Sequence, residues 1–388
     1  MSSKRIPFAL QSFISKCRKG NHRKNIFFQW LPFSEIRIKK KTTSNLNQFQ
    51  MKKSLLSIIL ICANISLISC GDGCTEDKVQ TQVIYNHNVK IVQDLSNRIT
   101  QFNYKPILND KVLVDHFFKI VPTLLFNESR SVNQQDVYKI DFINKNHLSV
   151  YNVNPEDLEI NLSRFGKKQM NRIKYLGGFK AESEYKNDES RLLNQFQDLQ
   201  LKLNSSNDHG SDIYSYFQNL NNLDLDFTVE KGSINGELNV ESRKMNEIVL
   251  LTDGYLEASA VNDNNKMSKD LSEAKINNFR KEYNKARALS PSITIEEFFT
   301  KEGWGITPLT NKLLKKDVKI LVMQLFDRGA TSGKNKNFPS DLEIIKLFWS
   351  KWLVNSGIKP RNFRLLSTYE VTNSSQIDKI YHDFFNFK

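Results

Sequence analysis

Between Val83 and Lys388 short apolar runs alternate with longer stretches of helical periodicity, and this alternation limits the fold more than any other feature of the chain. Glu247–Thr252 and Val318–Phe326 are too short for ordinary helices and apolar at successive positions, so each predicts a strand covered on both faces. Val89–Val92 is a β-branched run that ends on Asp94, and Phe363–Thr368 is a last strand. Tyr138–Ile143 and His147–Val153 read as two strands joined by the polar turn Asn144-Lys145-Asn146. Helical spacing marks Lys111–Phe126, Glu189–Leu203, a segment opened by Gly210-Ser211 and running through Leu220, Ser268–Ala288, and a terminal helix carrying Ile377, Ile380, Phe384 and Phe385. Asp341–Asn355 is a further helix, with Gly357 placed to cap it. Strands separated by helices predict an α/β domain of three layers, a mostly parallel central sheet with helices on both faces.

Nothing but packing is expected to hold that domain together. The four cysteines are Cys17, Cys62, Cys70 and Cys74, so the 314 residues after Cys74 fold without a disulfide or thiolate metal site. A body of this length buries a core large enough to stand alone. Cys74 is read as a spare thiol. No repeat or Pro/Gly-rich linker interrupts the chain after residue 80, and residues 83–388 are expected to form one domain with an insertion around 138–209.

The formal net charge of +14 suggests a polyanion partner until its distribution is examined. Residues 1–69 hold thirteen of the 56 Lys/Arg and one of the 42 Asp/Glu, Glu35. From Cys70 onward the balance is 43 to 41, a net charge of +2. A nearly neutral body has no excess field for nucleic acid, which is excluded as a partner.

The basic segment has its own logic. Met51-Lys52-Lys53 is a positive start, Leu55–Ile68 a short apolar run, and Leu67-Ile68-Ser69-Cys70 closes it. This order resembles a lipoprotein signal peptide with its lipobox. The resemblance implies that residues 51–69 are removed and that Cys70 carries a lipid anchoring the mature chain to a membrane of the cell envelope, on the periplasmic face or the cell surface. The apolar run is shorter than the roughly 20 residues a spanning helix needs. Residues 1–50 are then an upstream extension from a misassigned start, without a fold of its own, and 70–82 a tether.

Two strand ends carry the chemistry. Val89–Arg98 is a strand ending in Asp94-Leu95-Ser96, and Ile248–Gly254 is a buried strand ending in Thr252-Asp253-Gly254. Open α/β sheets bind ligands beyond the carboxyl ends of their strands, where strand order reverses. Carboxylates and hydroxyls gathered there suit a hard divalent ion. These residues resemble the von Willebrand factor A family, which implies a Rossmann-type sheet and a metal-ion-dependent adhesion site at its edge. On that resemblance Asp94, Ser96, Ser211 and Asp253 would hold Mg2+ or another divalent cation, with Asn97, Arg98, Asp212 and Thr252 behind them. An open coordination position would accept a carboxylate from a protein partner. Arg98 stands where the family has a second serine, and its guanidinium could point outward, pair with Asp212, or satisfy Asp94 or Asp253 itself and leave no metal.

The function these features predict is a membrane-anchored binding or adhesion module. The alternatives are a metal-free scaffold of an envelope complex and a Mg2+-dependent phosphoryl-transfer enzyme. Against an enzyme, no Gly-rich phosphate loop is present, and His22, His87, His116, His147, His209 and His382 are scattered and read as surface residues. Trp304, Trp349 and Trp352 read as core, and the charged helix 268–286 as a solvated face.

Overall fold

The computed structural model describes residues 81–95, 106–127, 134–144, 146–166, 168–177, 183–204, 212–234, 238–257, 265–329 and 337–385. The expected signal peptide and Cys70, and with them Ser96, Asn97, Arg98 and Ser211, lie outside the described residues.

β1 (Thr81–Gln93), α1 (Asp110–Asn127) and β2 (Val137–Phe142) come first, followed by α2 (Asn146–Val150), β3 (Glu159–Asn161), α3 (Gln169–Leu176), α4 (Glu184–Asn204) and α5 (Ile213–Asn219). Next come β4 (Val229–Ile234), β5 (Leu238–Leu251), β6 (Met267–Ser268), α6 (Glu273–Leu289), α7 (Ile295–Lys301) and β7 (Gly305–Ile306). The chain continues with β8 (Val318–Leu325), α8 (Asp341–Asn355), β9 (Phe363–Ser367) and α9 (Ser374–Phe385). Seven strands make one sheet in the order β3-β2-β1-β5-β8-β9, with β4 added to β5. β1, β2, β5, β8 and β9 run parallel, whereas β3 and β4 are antiparallel to their neighbours. The fold is therefore α/β with a mostly parallel sheet, as the alternation of elements predicts. No helix among the described residues is long and apolar enough to cross a membrane.

Period-two burial divides the core between the two faces. Val249, Leu251, Leu321 and Met323 cluster with Phe117 of α1, Phe196 of α4 and Tyr381 of α9. Their neighbours Ile248, Leu250, Ile320 and Val322 cluster with Phe217 of α5, Phe279 of α6, Phe298 of α7 and Trp349 of α8. Trp304, Trp349 and Trp352 are all core, as expected. Helix starts follow local chemistry: Ser272 caps α6, while Thr294 with Glu297 and Ser340 with Glu343 form capping boxes on α7 and α8. Gly357 follows the C-cap of α8, Ser356.

Several expectations need correction. His147–Val153 is not a strand: residues 146–150 form α2, and the edge of β2 is taken by Glu159–Asn161. β5 begins at Leu238, nine residues before the apolar run, because its first half pairs with β4 and the start of β1. The charged helix is not simply a solvated face, since Lys275 and Arg280 are buried. Lys275 Nζ donates to Ser268 Oγ (2.7 Å) and to the Gly305 carbonyl (2.8 Å), pinning α6 to both strands of the β6–β7 pair. His87 is buried as well, with Nδ1 2.6 Å from Glu247 Oε2, while Lys319 Nζ stands 3.3 Å from Glu247 Oε1. Within the segment read as an insertion, β2 lies beside β1, and Tyr138, Phe142 and Phe196 belong to the core.

Candidate functional site

The chain moves from β1 to β2 on one side of the sheet and from β5 to β8 and β9 on the other, so strand order reverses between β1 and β5. The carboxyl ends of those two strands are where a crevice is expected. β1 and β5 are in register to Gln93↔Leu251, and the ladder continues one residue further, with the Asp94 N–H donating to the Leu251 carbonyl at 3.0 Å. Asp94 thereby lies alongside Thr252, whose hydroxyl donates to Asp94 Oδ2 at 2.7 Å. Both residues are buried, as is Asp253. The two acidic segments, far apart in sequence, thus end side by side at one edge of the sheet.

The turn after β5 is rigid. Gly254 has φ +94°, accepted without strain only by glycine. Its N–H donates to Thr252 Oγ1 (3.1 Å), and its carbonyl accepts from the indole N–H of Trp349 (2.8 Å). The Asp253 carbonyl accepts from the Phe326 N–H, which ties the turn to the end of β8.

Sequence reasoning missed the residue that engages Asp253. Arg328, three positions beyond β8, donates from Nε (3.1 Å) and Nη2 (2.8 Å) to Asp253 Oδ2. Its Nη1 donates to Glu257 Oε1 (2.9 Å), and its guanidinium carbon lies 4.0 Å from the centre of the Tyr255 ring. Burial works against the charge of Arg328, and the carboxylates of Asp253 and Glu257 more than offset it, holding the group above its ordinary range. The Tyr255 hydroxyl donates to Asp341 Oδ2 (2.6 Å), which also accepts from the Gly329 N–H (3.1 Å). Arg280 pairs with the other oxygen of Asp341. Burial, and then Asp341 beside it, push the Tyr255 hydroxyl well above the usual tyrosine range. From Asp253 the rim is thus a chain of polar contacts through Arg328, Tyr255 and Asp341 to Arg280. Nothing local marks Arg328 as part of it, since only strand order brings residue 328 to residue 253.

Of the expected ligands, Asp94 and Asp253 are brought to the same rim, with Thr252 bonded to Asp94. Asp212 caps its own helix, accepting from the Ser215 N–H at 2.8 Å. The other two expected ligands, Ser96 and Ser211, lie outside the described residues. Asp253 Oδ2 holds the guanidinium of Arg328, while Oδ1 accepts from the Tyr255 N–H at 3.3 Å. Among the described residues no group of three or more His, Cys, Asp or Glu is disposed to hold a metal. Arg328 acts as a counter-ion to Asp253, the role considered for Arg98, which lies outside the described residues.

Exposed apolar groups flank the rim. The Ile107 N–H donates to Thr368 Oγ1 just beyond β9, and Tyr369 stacks on Phe326 with ring centres 6.1 Å apart. Ile107 and Tyr369 each remain about half exposed. A scan against protein-family models, a search of curated proteins and a search of solved structures each return no match to this chain.

Proposed function

We propose that this chain is a lipoprotein, anchored through Cys70 to a membrane of the cell envelope, whose α/β domain binds a partner protein at the carboxyl-end rim of its sheet. The observation that carries the reading is the meeting of Asp94, Thr252 and Asp253 at the point where strand order reverses. Half-exposed Ile107 and Tyr369 beside these groups supply apolar and aromatic contact area of the kind that protein-binding faces use. The resemblance to von Willebrand A domains points to the same edge, although fold alone does not assign a function.

The test places a photo-reactive amino acid at Tyr369, beside the rim, and in a second protein at Tyr85, in the opposite end of β1. A discrete cross-linked adduct in intact envelopes from position 369 and none from 85 is the expected result. Adducts from 85 alone, or from neither, would refute the rim as a binding face. Labelled fatty acid fed to producing cells should enter the wild-type chain and not Cys70→Ser, and equal labelling of both would refute the anchor.

A further inference from the structure

Between Glu159 and Glu182 the chain carries six Lys/Arg (Arg164, Lys167, Lys168, Arg172, Lys174 and Lys180) and no Asp or Glu, in a body whose charges otherwise nearly balance. α3 lies in the middle of this run. Arg172, Tyr175 and Leu176 are buried and fix the rotation of the helix, at spacings that leave Met170, Ile173 and Lys174 on the opposite side. Met170 is 56% and Ile173 52% exposed. Lys168 and Lys174 are exposed as well, and among the described residues neither forms an ion pair, whereas Arg164 is held by Asp188 at 3.0 Å. This face belongs to the amino end of the sheet. β3 ends with Asn161 opposite Val137, the first residue of β2, and the next N–H, of Leu162, donates to the Asp136 carbonyl at 2.8 Å. Buried Arg172 lies near the Asp136 carboxylate, which favours its charge. β1 begins with Thr81 at the same end, away from the rim.

We propose that the outward face of α3 docks on the surface of an anionic phospholipid membrane, with Met170 and Ile173 among the headgroups and Lys168 and Lys174 against lipid phosphates. The proposal rests on the reading of the chain as membrane-anchored, and adds how the domain is held: amino end toward the bilayer, rim away from it. An exposed apolar pair ringed by basic groups is the composition of an interfacial helix. Each lysine beside an anionic leaflet strengthens binding by about fivefold, so the pair contributes roughly 25-fold. That is too little to hold a free protein, and enough to orient one that a tether already keeps at high effective concentration. A nucleic acid would answer the charge and leave Met170 and Ile173 in water, whereas a bilayer surface offers phosphate and hydrocarbon side by side.

The experiment places a solvatochromic amino acid at Ile173 of the full chain, and in a second protein at Leu289, an 89% exposed residue of α6, which packs on the other face of the sheet. Vesicles of phosphatidylcholine alone, or mixed with phosphatidylglycerol, are then added. A blue shift at position 173 with the mixed vesicles, and none with phosphatidylcholine or at position 289, is the expected result. Lys168→Glu combined with Lys174→Glu should abolish the shift; both side chains are exposed, so the melting temperature should hold. Heparin, a polyanion without an apolar phase, should give no shift. Residues 1–69 are present in every protein compared, so their own affinity for vesicles does not distinguish them. No shift at 173 with the mixed vesicles, a shift as large with phosphatidylcholine alone, an equal shift at 289, a shift that survives the double charge change, or one produced by heparin would each overturn the proposal. Fatty-acid labelling at Cys70 does not depend on α3, so the anchor and the docking face are refuted separately.

Discussion

Replacing Gly254 by alanine tests the turn that fixes Asp253. Two costs add there. At φ +94° an L side chain is strained by about 1–3 kcal/mol. The new Cβ would also lie 2.6 Å from Leu325 Cδ2 and 2.7 Å from Ile345 Cγ2, about 1 Å inside the distance at which carbon atoms attract. Both neighbours are buried, on β8 and α8, so neither yields freely, and overpacking of this kind costs about 1–3 kcal/mol. The sum is about 2–6 kcal/mol. Gly303→Ala is the control, because φ there is +70° and nothing lies within 4 Å of the new atom, leaving the backbone cost alone, about 1–2 kcal/mol. Urea unfolding of both variants, with the slopes compared to ensure that only stability has changed, gives the two values. A Gly254→Ala loss no greater than that of Gly303→Ala would refute the claim that the turn is locked between β8 and α8.

Two other predictions concern the buried polar groups. Lys275→Ala removes the amine shared by Ser268 Oγ and the Gly305 carbonyl and leaves a hole beneath α6, so it should cost about 2–4 kcal/mol in the same assay; a loss below about 1 kcal/mol would show that the amine does not hold the β6–β7 pair. Burial, reinforced by the carboxylates of Asp188, Glu189, Asp141, Asp341 and Asp110 respectively, holds the hydroxyls of Tyr175, Tyr185, Tyr216, Tyr255 and Tyr381 protonated well above the ordinary range. In the unfolded chain they ionise near pH 10, so their contribution is complete below that pH and declines above it as the unfolded state loses protons first. An ultraviolet titration should show these groups ionising together with the loss of far-ultraviolet ellipticity, and stepwise ionisation of a folded protein would contradict their burial.

What the sequence discloses depends on where the information lies. α8 is legible to the residue because its start is written locally, Ser340 with Glu343, and its apolar stripe is continuous. The central strands are legible because burial on both faces leaves an apolar run. The first half of β5 is not, because residues 239–245 carry mostly polar side chains, Asn239, Glu241, Ser242, Arg243 and Lys244, and leave no apolar run. His-Leu-Ser-Val-Tyr-Asn-Val has the alternation of a strand, yet the position beside β2 goes to Glu159–Asn161, a competition that no local pattern reveals. Lys275 and Arg280 look like solvent-facing charges because their acceptors, Gly305 and Pro339, are distant in sequence. Asp94 and Asp253 could be paired from their strand ends, whereas Arg328 could not: Asp-Arg-Gly after a strand is an ordinary turn until β8 is known to neighbour β5.

The length of β1 has a mechanical consequence. All thirteen of its residues are in register with β5 and six with β2, and about 40 Å of extended chain separates Thr81 from the rim. A load entering at Thr81 and resisted by a partner held at the rim would run along the axis of this strand. Both ladders would then be strained in shear at once, and could not peel open one rung at a time. Survival of the domain under tension would be governed by its slow rate of unfolding more than by the strength of any one contact.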